Sequence, residues 1–507
     1  MVYCGKPSTA CDRCRPRRLK CDRSTPSCSQ CMRARVPCPG YRDTLDLNFR
    51  DQSDDVIRKA KQQSHRRSVV TAKSNQQVVR SAPLLSFGLR PPPDELAKGY
   101  FFTNFGGCHM PYLLMKSKHS LECSINAGLT AVGLAALSNL HMSPRLMLAA
   151  RRHYATALSQ TNHALGDASS FRKDETLAGV ALLSTFELVT CGDGSFIDRW
   201  AKHMDGAAKL IECRGTRQLK SAEGLHLFTV LRSQIVISRV YEGRYTSSIL
   251  THLTEEAQKY RSPNFQVLDQ LGLAIIRVCN FCAAVRDGTI TQPGEIIRSA
   301  LGHNADLVSI LLSVPDSWTY STAELPEFKQ ERTMHAVWGD KFHLYRNLTV
   351  STAWNNYRSA RLILHELIIS TVEACSSNII DEQTREILLN QSQKTSRQIV
   401  QDICASVPYH FGTTAGETTP TMSGGITIVW PLLVTANSRF ASPELREWVM
   451  SCLDRIGHYL GINQALASAR LLRDGMETRS WVSSEYDRSS RAPSLWCVLN
   501  GGKSSWG

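Results

Sequence analysis

A chain of 507 residues is too long for one hydrophobic core, so at least two units are expected, and 42% hydrophobic with 21% charged residues excludes wholesale disorder. The formal charge of +14 is concentrated at one end, where residues 1–73 carry 17 Lys and Arg against 7 Asp, a net +10. Such a basic terminus points to a polyanion, with nucleic acid favoured over an anionic membrane surface, because phosphate contacts and counterion release dominate non-specific affinity.

From Met1 to Gly40 there is no apolar run of the kind that forms a signal-peptide core. Export is therefore not expected, and the cysteines should sit in a reducing compartment where metal binding is favoured over disulfides. Seven of the 17 cysteines fall within the first 38 residues, and six form a repeat: Cys11, Cys14, Cys21, then Cys28, Cys31, Cys38. Each half reads Cys-x2-Cys-x6-Cys, and the halves are offset by 17 residues. Zinc takes four ligands in a tetrahedron, so six thiolates serve two zinc ions only if two sulfurs are shared. A knot of that kind replaces the hydrophobic core that so short a segment cannot build. Arg13, Arg15, Arg17, Arg18 and Lys20 surround it and favour deprotonated thiols. With no open coordination position implied, the site is structural rather than catalytic. One alternative is a single zinc on Cys11, Cys14, Cys28 and Cys31 with Cys21 and Cys38 as bystanders; another is a disulfide framework. Cys4 falls outside the repeat and reads as a spare thiol.

The segment from Ala10 to Tyr41, ACDRCRPRRLKCDRSTPSCSQCMRARVPCPGY, resembles the fungal binuclear zinc cluster family of transcription factors. The likeness covers all six cysteines, the basic run between the second and third, and Pro26 in the joining loop. The flanking MVYCGKPS and GYRDTLDLNFRDQS resemble a subset found in filamentous fungi. The resemblance implies that Cys11 and Cys28 bridge the two zinc ions while Cys14, Cys21, Cys31 and Cys38 are terminal ligands. It further implies two short helices, one after Cys11 and one after Cys28, related by a pseudo-twofold axis. The first would enter the major groove of double-stranded DNA and read a CGG triplet through Arg17 and Arg18. Arg can donate two hydrogen bonds to guanine O6 and N7, which suits that role. Arg15, Lys20 and Arg23 suit phosphates, with compensation of cluster charge as the plainer reading. Arg33 and Arg35, on the second helix, are equally suited to phosphate or solvent. Pro16 lies inside the first expected helix, lacks an N–H and should shorten or bend it. The resemblance also implies a nuclear regulator of RNA polymerase II transcription, working with the transcription machinery or co-regulators.

A cluster domain is thus expected over 1–43, followed by a basic flexible linker over 44–93. Leu45, Phe49 and Val56 follow helical spacing, but the pattern fades within two heptads, so a dimer-forming zipper is not supported and a homodimer partner stays open. Arg58-Lys59-Ala60-Lys61 with Arg66-Arg67 reads as an import signal, a phosphate grip or a solvated linker. Pro91-Pro92-Pro93 closes a tether, and the next unit should begin near Asp94.

From 94 to 490 the chain reads as successive helices, an all-α domain, before a tail over 491–507. Ser143-Pro144 opens a helix with Met147, Ala150, Tyr154, Leu158 and Leu165 on one face, closed by Gly166. Ser442-Pro443 opens another, with Leu445, Trp448, Val449, Cys452, Leu453, Ile456, Tyr459 and Leu460 inward before Gly461. The stretch 177–190 followed by Trp200, His203, Gly206, Ala207, Leu210, Arg214 and Gly215 resembles the regulatory domain of the same family. So does Trp430-Pro431-Leu432 with Gly461-Ile462 and Gln464-Ala465. The longest candidate span, Ile426–Thr435, is interrupted by Pro431 and reads as core, so no membrane partner is expected. No phosphate-binding glycine loop, His-Glu-x-x-His or Gly-x-Ser-x-Gly occurs, so no enzyme is expected. Cys279-x2-Cys282 reads as buried small hydrophobes, His203 as a packed core histidine, and His365-Glu366 as a surface-to-core transition. A zinc-dependent protein-docking module without DNA reading is the rival of a different class.

Overall fold

A computed structural model describes residues 10–14, 16–40, 91–105, 123–191, 196–324, 337–375, 379–412 and 422–474. Contacts divide the chain into a unit before residue 90 and a unit from Arg90 onward.

In the first unit sulfur takes the place of a core. Cys11, Cys14, Cys28 and Cys31 are fully buried, with Ala10, Cys21 and Cys38 packed around them. The helix among its described residues is α1, Ser29–Arg33. Its amino end is capped from a distance, since the Ser29 amide donates to Asp22 Oδ1 at 3.0 Å. The Ser29 hydroxyl, the Ser24 hydroxyl and that amide together hold the Asp22 carboxyl down to about 2.

The segment after Cys11 forms consecutive turns, 12–14 and 16–18, where a short helix was expected. Pro16 supplies the reason, because it cannot donate and disfavours helical backbone in the residue before it. Both halves nevertheless end alike. Leu19 N donates to Cys14 O at 3.0 Å and Val36 N to Cys31 O at 3.2 Å, while Arg18 and Arg35 share a left-handed φ of 51°. This is the hydrogen bond of a Schellman ending, repeated at the offset of the cysteines.

The second unit holds fourteen α-helices, four short 3-10 helices and one two-stranded ribbon among its described residues. At its start lie α2 (Pro93–Phe105), α3 (Cys123–His141), α4 (Pro144–Gly166) and α5 (Asp174–Thr190). Gly133 lets α3 approach α2 closely, for a Cβ there would lie 2.1 Å from the Ala97 carbonyl oxygen. Residues 176–189 of α5 are buried throughout, which marks it as a central helix. Next come α6 (Phe196–Arg214), α7 (Ala222–Glu242), α8 (Ser248–Ala257), α9 (Val267–Arg286) and α10 (Pro293–Leu312). The chain ends in α11 (Leu348–Ala374), α12 (Glu382–His410), α13 (Met422–Asn437), α14 (Pro443–Leu460) and α15 (Asn463–Arg473).

The last helices close over the first. Ser423 Oγ donates to the carbonyls of Asn104 and Phe105 at 3.2 Å, and Asn139 Nδ2 donates to Val189 O and Gly461 O, each at 2.8 Å. One contiguous apolar cluster runs from Ala97 to Ala469.

The two helices read most fully from sequence have the expected ends. Ser442 Oγ accepts from Leu445 N at 3.2 Å, and Gly461 closes α14 with a left-handed φ of 74°. Each carries one outward residue that was expected inward: Leu165 is 41% and Tyr459 73% exposed. In α14 Leu460 defines the buried face, and Tyr459, its neighbour in sequence, lies about 100° away around the helix; Leu165 falls in the last turn of α4.

Departing from all-α, β1 (Tyr320–Glu324) pairs antiparallel with β2 (Lys341–Tyr345). Their inward side chains wall in Arg358 of α11, which is 1% exposed. Its guanidinium donates to Tyr345 OH at 2.6 Å and Asn355 Oδ1 at 3.1 Å, and lies 5.0 Å from the Tyr320 ring centroid. The ribbon packs around that cation, a long-range contact of which local helical periodicity gives no hint.

Ile426–Thr435 is core within α13, but among the described residues the helix long and apolar enough to cross a membrane is Pro263–Arg286, and most of its apolar window is buried. Cys279 and Cys282 lie inside α9, and burial pushes the Cys282 thiol up to about 12. His203 packs inward, with Nε2 3.4 Å from Tyr154 OH. His365 and Glu366 are not a surface transition, for both are buried. Glu366 accepts from Ser438 Oγ at 2.7 Å and Arg439 Nε at 3.1 Å, a long-range pairing that supports its burial. Burial holds His365 down at about 4.

Candidate metal centre and nucleic-acid interface

The six sulfurs of the repeat fall into two overlapping tetrads. Cys11, Cys14, Cys21 and Cys28 form one, Cys11, Cys28, Cys31 and Cys38 the other, with all sulfurs of a tetrad within 4.8 Å of one another. Cys11 and Cys28 belong to both. Measured edges are 3.8 Å for Cys11 to Cys28, 3.7 Å for Cys14 to Cys28 and 3.9 Å for Cys11 to Cys31. A tetrahedron with metal–sulfur bonds of about 2.3 Å has edges of about 3.8 Å, so these residues fit zinc. Cys21 and Cys38, bystanders in the single-zinc alternative, lie within the same reach.

The surroundings favour sulfur over other partners. Cys14 N points at Cys11 Sγ at 3.4 Å, and Arg13 Nη1 at Cys31 Sγ at 3.8 Å. Backbone hydrogen bonds from Cys28 and Gly40 bring the Cys38 thiol down to about 7, whereas burial pushes Cys28 up. A buried thiol that resists ionisation loses its proton most readily to a metal. Arg13 was counted only among the charges around the cluster; its contact with the opposite half of the repeat has no signature in local spacing.

Of the residues expected at DNA, Arg17, Arg18, Lys20 and Arg23 are exposed, and Arg15 lies outside the described residues. The two halves share a backbone plan but not a charge. Positions 12–20 carry five cations and one carboxylate; the matching positions 29–37 carry only Arg33 and Arg35. The basic motif at 58–67 and the zipper region at 45–56 also lie outside the described residues.

Residues 9–47 match the fungal Zn(2)-Cys(6) binuclear cluster domain, and residues 113–474 match the fungal specific transcription factor domain. Transcription factor dbaG of Emericella nidulans is 29% identical over 148 residues, 27% of this chain and 33% of that protein. The match thus spans about a third of that relative's length. No solved structure matches. The cluster domain implies zinc binding, and the family whose models match is one of transcription factors. The chain belongs to the fungal transcription factors that join a Zn(2)-Cys(6) cluster to a large helical fungal-specific domain.

Proposed function

We propose that the chain is a sequence-specific regulator of transcription in the nucleus of a filamentous fungus, reading CGG-type triplets through its first cysteine half. The observation that carries this reading is the pair of sulfur tetrads sharing Cys11 and Cys28. Two zinc ions, when bound, supply the rigidity that the unit's few apolar residues do not. Cys14 and Cys21 then complete one tetrad, Cys31 and Cys38 the other. Arg17 and Arg18 are both exposed, Arg18 with a left-handed φ of 51°, and in this reading they make the base contacts. Arg15, Lys20 and Arg23 hold phosphates. The charge asymmetry between the halves favours the first as the DNA-facing one. The helical domain governs activity through the transcription machinery or co-regulators.

Selection of bound sequences from a random DNA pool by the full chain tests the reading, with elemental analysis in parallel. Recovered CGG triplets, and loss of guanine preference in Arg18→Ala, are the expected results. Lys20→Ala should weaken binding to every sequence and flatten the salt slope by about one unit. A metal-loaded chain that selects no sequence would instead support a protein-docking module, for which exposed Leu19, Met32 and Val36 offer an apolar surface.

A further inference from the structure

The second unit contains a cavity of about 660 Å³, walled chiefly by α7, α9, α11 and α13. That volume falls within the range that holds a drug-sized molecule. Most of the wall is apolar or aromatic, with Trp200 and Trp430 on the inside and the part-exposed Tyr260 and Phe265 among its outer residues.

Charge distinguishes this cavity from a simple packing fault. Among the described residues no carboxylate lines it, whereas Arg232 and Arg261 do. Both guanidiniums converge on Asp269, which is fully buried behind the wall. Arg232 Nη1 donates to Asp269 Oδ1 at 2.7 Å, Arg261 Nε to Oδ2 at 2.8 Å and Arg261 Nη2 to Oδ1 at 3.2 Å. Two cations share one anion, so the triad keeps a single positive charge at the edge of an apolar chamber. Water screens that charge poorly there, which strengthens its pull on an entering anion. Gly272 preserves the arrangement, since a Cβ at that position would lie 2.6 Å from Arg232 Cζ.

We propose that this cavity binds a small amphipathic monoanion, an apolar body of drug-like size bearing one carboxylate or comparable acidic group beside Arg232 and Arg261. The proposal is independent of DNA reading, and its test contains no DNA.

Fluorescence titration of the full chain uses two dyes with one skeleton: anilinonaphthalene sulfonate, an aromatic monoanion, and N-phenylnaphthylamine, which lacks the sulfonate. The anionic dye should bind at one site per chain and about tenfold more tightly than the neutral one. Arg261→Met should abolish that preference while keeping the neutral dye within about twofold, because Asp269 retains Arg232; Arg261→Lys should restore it. Thr349→Trp, at an exposed wall position, should weaken both dyes by at least about fivefold through steric closure. In native protein without any substitution, decanoate should displace the anionic dye and decanol should not. Equal affinity for the two dyes, or equal displacement by decanoate and decanol, overturns the charge selection. Unchanged binding of both dyes to Thr349→Trp overturns the location. Near-UV circular dichroism should match the native chain in each variant, so that dye uptake reports the cavity and not loosened packing.

Discussion

The Asp269 triad makes a demanding test of the energetics, because its members differ so much in burial. Asp269 and Arg232 have side chains 0% and 3% exposed, and Arg261 11%. Asp269→Asn keeps the volume but removes the charge, and its amide turns a donor toward groups that can only donate. Breaking a buried ion pair from one side costs about 3–5 kcal/mol, since the surviving charge stays buried without a counterion. Here two guanidiniums are stranded together and repel each other, so the upper part of that range applies. At the lower end of roughly 2–4 °C per kcal/mol for a unit this large, the melting midpoint falls by about 8–10 °C. The control is Arg473→Ala, which breaks a pair to Asp454 whose side chains are 42% and 31% exposed. Screened pairs of that kind contribute at most about 1 kcal/mol, and its midpoint should move by no more than about 2 °C. Far-UV circular dichroism during heating, at matched protein and zinc concentrations, measures both. Similar shifts for the two variants would refute the argument that burial sets the magnitude.

Cys28→Ser removes a sulfur common to both tetrads and should empty both metal positions, whereas Cys38→Ser should leave the first tetrad loaded; mass spectrometry of the purified chain reads the difference. Acid should loosen the helical unit through its buried histidines, His365 and His410 both held down at about 4 and His343 at about 3 by burial. Their folded values lie below the unfolded 6.5, so the unfolded chain binds more protons and stability drops as pH falls from 6.5 toward 4, by about 1.4 kcal/mol per unit for each histidine. Denaturant midpoints across that window should flatten by one such increment in His365→Phe. Gly133→Ala should destabilise the unit by about 1–3 kcal/mol through the clash with the Ala97 carbonyl, visible as a lower urea midpoint with unchanged slope.

What could be read from sequence was local and periodic. The cysteine repeat, the start of α4 at Pro144 and the end of α14 at Gly461 each have a chemical cause within a few residues of the feature itself. Leu165 and Tyr459 show the limit of apolar spacing, which identifies a stripe without knowing where the neighbouring helix defines its edge. Features that depend on distant partners left no local mark. Arg358 is enclosed by strands and rings brought from 320 and 345, and Glu366 by Ser438 and Arg439. Arg232 and Asp269, 37 positions apart, look like ordinary helix-surface charges until α7 and α9 are packed together.

The stitching of Asn139 to Gly461 and of Ser423 to α2 has a bearing on biosynthesis. A ribosome delivers α2 and α3 hundreds of residues before the segments that cover them, and contacts of such range close slowly. The emerging polypeptide must shelter its earliest apolar faces by other means until α13 through α15 are released. A nonsense mutation upstream of Met422 would therefore expose the beginning of the regulatory unit as well as delete its end.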